Sequence, residues 1–194
     1  MNIVRAVDIP QANRLQMVRE VAALVEAGAV TPELIEARSE LSLRHARYYM
    51  HAARILGWVA LEGGAIRATT AGKALLGTKV GSLAEANEIV RAMTAMSISP
   101  FLTPFLKGRS SQTELIDALS KHADLSFATA SRRASTLARW RDYVLEAGAM
   151  FLTSEPNADV DGTEETPERE ERQRSRECER SPESACFWTT RRGS

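Results

Sequence analysis

Arg44, Arg47, Tyr48 and His51 stand three and four residues apart, the spacing that gathers side chains on one face of a helix. A second set, Ser131, Arg132, Arg133, Ser135 and Arg139, has the same character further along the chain. Arginine can bridge two phosphate oxygens or the O6 and N7 of guanine. Tyrosine and serine hydroxyls can bond phosphate oxygens, and small residues let a backbone come close. Neither helix carries a carboxylate on these faces before Asp142. The chemistry this suits is non-covalent recognition of a polyanion, and these nine residues are the candidate DNA-binding set. An arginine-rich face left to solvent is the ordinary alternative.

Other chemistry is poorly supplied. His45, His51 and His122 are the only histidines, and no histidine or carboxylate stands at helical ligand spacing beside His45 or His51. Both cysteines, Cys178 and Cys186, lie near the C-terminus, so no Cys-ligated zinc site is expected in the first 153 residues. No Gly-rich phosphate loop or GxSxG elbow occurs, and "TTAGKALLG" has a Gly-Lys pair without P-loop spacing. The expectation is a non-enzymatic protein with no cofactor and no metal.

The formal charge over 194 residues is zero, but it is unevenly placed. Residues 1–153 hold 18 Lys and Arg against 14 Asp and Glu, and residues 154–194 hold 7 against 11. A mildly basic body suits a polyanionic partner, while the smallness of its excess suits a protein partner equally well. No charged-then-apolar leader and no apolar run near membrane-spanning length is read, so a cytoplasmic location with no membrane partner is expected.

The elements that must position these residues follow from caps and periodicity. Gln11 to Gly28 reads as a helix, with Leu15, Val18, Val21, Ala22 and Val25 on one face. Thr31-Pro32 opens a short helix to about Arg38, and Ser42 caps a third that runs to Leu56. "WVALEGGAIRAT" alternates about Gly63-Gly64 as a hairpin, and Thr70 caps "AGKALL". Three helices, a hairpin and a closing helix make a winged helix, whose third helix enters the DNA major groove. Downstream, Ser82-x-x-Glu85 and Ser111-x-x-Glu114 are capping boxes, and Pro100 and Pro104 are expected to break helix between them, with Phe101, Leu102, Phe105 and Leu106 packing inward. A last helix runs from about Ser126 to Tyr143, and "VLEAGAMFLT" reads as a second hairpin.

The two halves can be laid on one another: "ELIEA" (33–37) matches "ELIDA" (114–118) with three extra residues in the second connection, and the stretch after it aligns without a gap. Residues 41–69 lie on residues 125–153, with Leu41, Ser42 and Ala46 matching Leu125, Ser126 and Ala130; Glu62, Gly64, Ala65 and Thr69 match Glu146, Gly148, Ala149 and Thr153. The expected buried stripes are Leu43, Ala46, Met50, Ala53 and Leu56 in one copy, and Phe127, Ala130, Ala134, Leu137 and Trp140 in the other. Tyr49 is expected to pack and Arg133 to extend outward. The expected fold class is mainly α with short β-hairpin wings: two tandem winged helix-turn-helix units, residues 1–78 and 79–153, then a disordered charged tail, residues 154–194.

The stretches "IPQANRLQMVREVAALVEAG", "RHARYYMHAARILGWV", "ATTAGKALL" and "RRASTLARWRDYV" resemble the tandem winged-helix modules of restriction–modification and related phage-defence proteins. The most distinctive feature is Tyr48-Tyr49 followed by Ala53 and Leu56-Gly57, and the resemblance covers about residues 9–145. It implies a DNA-recognition component for double-stranded DNA that works beside a separate nuclease, ATPase or other subunit. An oligomer is compatible with it. The alternatives are a protein–protein interaction adaptor or a transcriptional regulator.

Overall fold

The computed structural model describes residues 4–148. Eight α-helices, one 3-10 turn at Ala6–Asp8 and one two-stranded antiparallel sheet make up the regular structure of these residues. The elements are α1 (Leu15–Glu26), α2 (Pro32–Arg38), α3 (Leu43–Ile55), β1 (Val59–Glu62), β2 (Ala65–Ala68), α4 (Thr70–Leu76), α5 (Leu83–Thr94), α6 (Ser99–Leu106), α7 (Gln112–His122) and α8 (Phe127–Glu146). None is long and apolar enough to cross a membrane.

Most starts fall where a side chain can satisfy the orphan amides of the first turn. Thr31 accepts from Leu34 N–H with Pro32 following it, and Ser126 accepts from Thr129 N–H. Ser111 and Glu114 form both halves of a capping box. Helix α4 is capped by Thr69 and not by Thr70: Thr69 Oγ1 accepts from Gly72 N–H while donating to the carbonyl of Gly57. Strands β1 and β2 pair in the expected register, Val59 opposite Ala68 and Glu62 opposite Ala65, and Gly63 and Gly64 turn the hairpin at φ of 58° and 83°. Both turn residues need the left-handed region, which glycine enters without steric cost.

Further expectations change. Ser42 stands at the N-cap of α3 but makes no capping bond, its Oγ pairing with His45 Nδ1 instead. The first helix opens at Leu15, because Pro10 holds Ile9 extended and the chain stays non-helical to Arg14. Pro100 and Pro104 do not break α6. The first lies in the opening turn, where its missing N–H has no helical partner to lose, and the burial of Leu102, Phe105 and Leu106 outweighs the bond lost at Pro104. Phe101 is half-buried and stacks on His122, centroids 4.6 Å apart.

The second hairpin is overturned where it can be judged. Val144 continues the buried 3- and 4-residue stripe of Leu137 and Trp140, so α8 runs on to Glu146, and Gly148 at φ 84° is the left-handed stop of that helix. The rest of that hairpin, and the charged tail, lie outside the described residues. Finally, Phe127 is 66% exposed and Leu43 only half-buried, since each stands in the first turn of its helix beyond the edge of the core.

One apolar core runs from Val4 to Val144, with Trp58 and Trp140 among its largest fully buried side chains. The two stretches expected as units meet around Glu85. Its carboxylate is fully buried, lies 2.8 Å from Arg19 Nε of α1, and accepts from Tyr143 Oη of α8 at 2.8 Å and from Gly81 N–H at 2.6 Å. Only half of the expected Ser82–Glu85 capping box therefore forms. Ser82 accepts from Glu85 N–H, but the Glu85 side chain turns inward to the cationic guanidinium.

Candidate nucleic-acid interface

The site is built on the segment that leads into α1. Ile9, Pro10 and Ala12 are buried, and residues on α3 and α8 bind the segment's backbone and side chains. His51 Nε2 lies 2.7 Å from the carbonyl of Val7, and Tyr49 Oη donates to Asn13 Oδ1 at 3.3 Å. From the other side, Arg133 donates to the carbonyl of Ile9, and Trp140 Nε1 donates to that of Ala12 at 2.9 Å. After a single 3-10 turn at Ala6–Asp8, the buried carbonyls of Ile9 and Ala12 have no helix or strand partner, so Arg133 and Trp140 supply the bonds that burial requires, while His51 adds an exposed one at Val7. The segment becomes a strap laid between α3 and α8.

Above the strap is a cleft of about 480 Å³. One wall is α3, with Arg44, His45, Tyr48 and Tyr49. The other is α8, with Ser131, Arg132, Ser135, Thr136 and Arg139, and Gln11, Ala12 and Asn13 form the floor. No lining residue is a carboxylate. The faces that spacing placed on two separate helices thus meet across one depression.

Within α3, Arg44 Nε reaches Tyr48 Oη at 3.4 Å, and its guanidinium carbon sits 5.7 Å from the ring centroid. The tyrosine positions the arginine by a cation–π contact one turn away. His45 is braced at its helix start by Ser42, Nδ1 to Oγ 3.0 Å. On α8, Ser135 donates to the carbonyl of Ser131 at 2.9 Å and Thr136 to that of Arg132 at 3.2 Å, while Gln112 of α7 donates to Ser135. Those two hydroxyl protons are committed, so Ser135 and Thr136 offer a ligand acceptors, not donors. The donors left to the cleft include the guanidiniums of Arg44, Arg132 and Arg139, the hydroxyls of Tyr48 and Ser131 and the polar groups of the floor.

Six of the nine expected residues line the cleft: Arg44, Tyr48, Ser131, Arg132, Ser135 and Arg139. Three do not. Arg47 is turned to α2, 3.7 Å from Glu33, whose carboxyl is held below its usual pKa mainly by hydrogen bonds at the start of α2. His51 is engaged by the strap. Arg133, expected to extend outward, is 9% exposed, because the strap offers it the buried carbonyl of Ile9. Burial, and after it the neighbouring charge of Arg132, lowers its pKa from the ordinary guanidinium value.

No family model, curated protein or solved structure matches this chain.

Sequence spacing missed His45, Gln11, Asn13 and Thr136. The signal for the floor was local. Gln11 and Asn13 alternate with buried Ala12, a two-residue period that argues for extended chain and against a helix. Among the described residues, no three histidines, cysteines or carboxylates come together as a metal site.

Proposed function

We propose that the chain is a double-stranded DNA-binding protein, with α2–α3 and the β1–β2 hairpin as one winged helix-turn-helix and α7–α8 as its diverged second copy. Helices α3 and α8 meet the DNA. The observation that carries this is the cleft: three exposed guanidiniums, a tyrosine and amide donors converge with no carboxylate among them. Uncompensated arginines gathered in one place attract phosphate and gain from the counterions it releases. A role as the DNA-recognition part of a restriction or defence system follows from the resemblance of the sequence, with catalysis left to a separate nuclease or ATPase subunit.

The test is binding of the full chain to a random-sequence duplex across a salt series, beside an Arg44→Ala/Arg132→Ala/Arg139→Ala variant. The parent should lose affinity steeply with salt, and the variant should show a slope shallower by about 0.9 for each phosphate contact removed. No binding by the parent at low salt would overturn the proposal and turn attention to a protein partner.

A further inference from the structure

The geometry points to a narrower occupant: the cleft between α3 and α8 seats one phosphodiester strand, either free or as one strand of a duplex. This rests on reading the cleft as a nucleic-acid site, and it replaces a picture in which each helix enters a major groove of its own.

Width argues first. A helix with its side chains is about 10–12 Å across, and the major groove of B-DNA is about 12 Å wide, so one groove takes one helix. Helices α3 and α8 flank the strap, which His51 and Tyr49 bind from one side and Arg133 and Trp140 from the other. Together they are too broad for one groove, and the shared strap fixes their separation. The arginines do not project from two independent helix faces. They converge on the space between them.

That space has the size and chemistry of a strand. A volume of about 480 Å³ falls in the range that encloses a drug-sized ligand, so it suits about one or two nucleotides and not a turn of duplex. Arg44 on one wall faces Arg132 and Arg139 on the other, an arrangement that brackets a phosphate backbone from both sides. Tyr48 adds a half-buried aromatic ring already paired with Arg44, the combination of stacking surface and cation that strand-binding grooves use. Because Ser135 and Thr136 spend their hydroxyl protons on the helix backbone, phosphate is held chiefly by guanidinium charge, with the Tyr48 and Ser131 hydroxyls beside it.

Two probes distinguish the sources of such a strand: a short oligothymidylate, and a DNA hairpin with a sealed, fully paired stem. Each is titrated into the isotope-labelled full chain and followed by amide and arginine side-chain shifts, with Arg139→Gln as the variant. The expected result is that both probes shift Tyr48, Ser131, Arg132 and Arg139. Binding of the single strand should fall with salt by about 0.7 logarithmic units per phosphate held. Arg139→Gln should weaken both probes roughly tenfold, the loss of one charge-assisted contact.

A hairpin that shifts these residues without single-strand binding assigns the seat to one strand of a duplex, whereas a hairpin that binds but shifts residues elsewhere overturns the seat and leaves duplex binding standing. A single strand that binds but shifts residues elsewhere overturns it too. Single-strand binding in the cleft without hairpin binding supports the seat and removes the duplex proposal. If neither probe binds, both proposals fall.

Discussion

Arg133 and Ile9, 124 residues apart, meet as donor and acceptor beneath the cleft, the guanidinium bonding a fully buried carbonyl. The contact ties the strap before α1 to the last helix of the described chain. Arg133→Leu removes the donor and leaves that carbonyl unsatisfied, at a cost of about 1–3 kcal/mol. Arg132→Ala, one residue away but exposed, should stay within about 0.5 kcal/mol of the parent. Urea midpoints of the two variants check this, and an Arg133→Leu chain as stable as the parent would remove the clamp from the account.

Arg47 and Arg139 are both exposed arginines of the expected site, yet only Arg139 lines the cleft. Arg139→Ala should reduce the salt slope of duplex binding by about 0.9, whereas Arg47→Ala should leave it nearly unchanged. Equal slopes for the two variants would mean that binding does not centre on the cleft.

Glu85 is a buried charge whose partners come from α1 and α8. The Arg19 contact is close but poorly angled for a hydrogen bond, so the pair is chiefly an ion pair. Glu85→Ala leaves the Arg19 charge without its partner and should destabilise the fold by about 3–5 kcal/mol. The double variant Arg19→Met/Glu85→Met should recover much of that loss, since apolar replacement removes both desolvation costs. Chemical denaturation of the single and double variants gives the coupling directly.

The phenol of Tyr143 is pushed up to about 12, first by burial and then by its hydrogen bond to the Glu85 carboxylate. The folded chain thus holds this proton more tightly than the unfolded chain, where the pKa is near 10.0. The contribution is complete below about pH 10 and is lost as pH rises to about 12. The gap in melting temperature between the parent and Tyr143→Phe should narrow over that window. Tyrosinate absorbance should show one late-titrating phenol that the variant lacks.

Gly72 has no room for a side chain. A Cβ there would sit 2.1 Å from the carbonyl oxygen of Trp58, which is backbone and cannot swing aside. Gly72→Ala should cost about 1–3 kcal/mol or more as α4 is forced off the hairpin, while Gly77→Ala, with its nearest atom at 3.4 Å, should be nearly neutral. Thermal melts of the two variants make the comparison.

The parts of the fold that were legible in the sequence are those where local chemistry decides. Thr31-Pro32, Ser111 with Glu114, and Gly63-Gly64 each place an element by satisfying amides or permitting a left-handed turn. The failures arise where distant residues decide. The strap has helix-like apolar spacing nearby, but its conformation is set by Arg133 and Trp140 from the far end of the chain. "EAG" before residue 149 suits a hairpin turn and a helix stop equally, and the burial of Val144 chooses the stop. Helical periodicity put the cleft residues on the right faces. That those faces look at each other belongs to tertiary packing, which a single helix wheel does not contain.

The strap also fixes when the site can exist. Its bonds to Arg133 and Trp140 span 124 and 128 residues, so the two walls acquire their common floor only after α8 has been made and docked. A ribosome-bound chain that has emitted α1 to α7 has the Arg44 wall and no opposite bank. The two-walled cleft is therefore complete only late in synthesis. Cleavage within the first dozen residues would undo it from the other end, without touching either arginine-bearing helix.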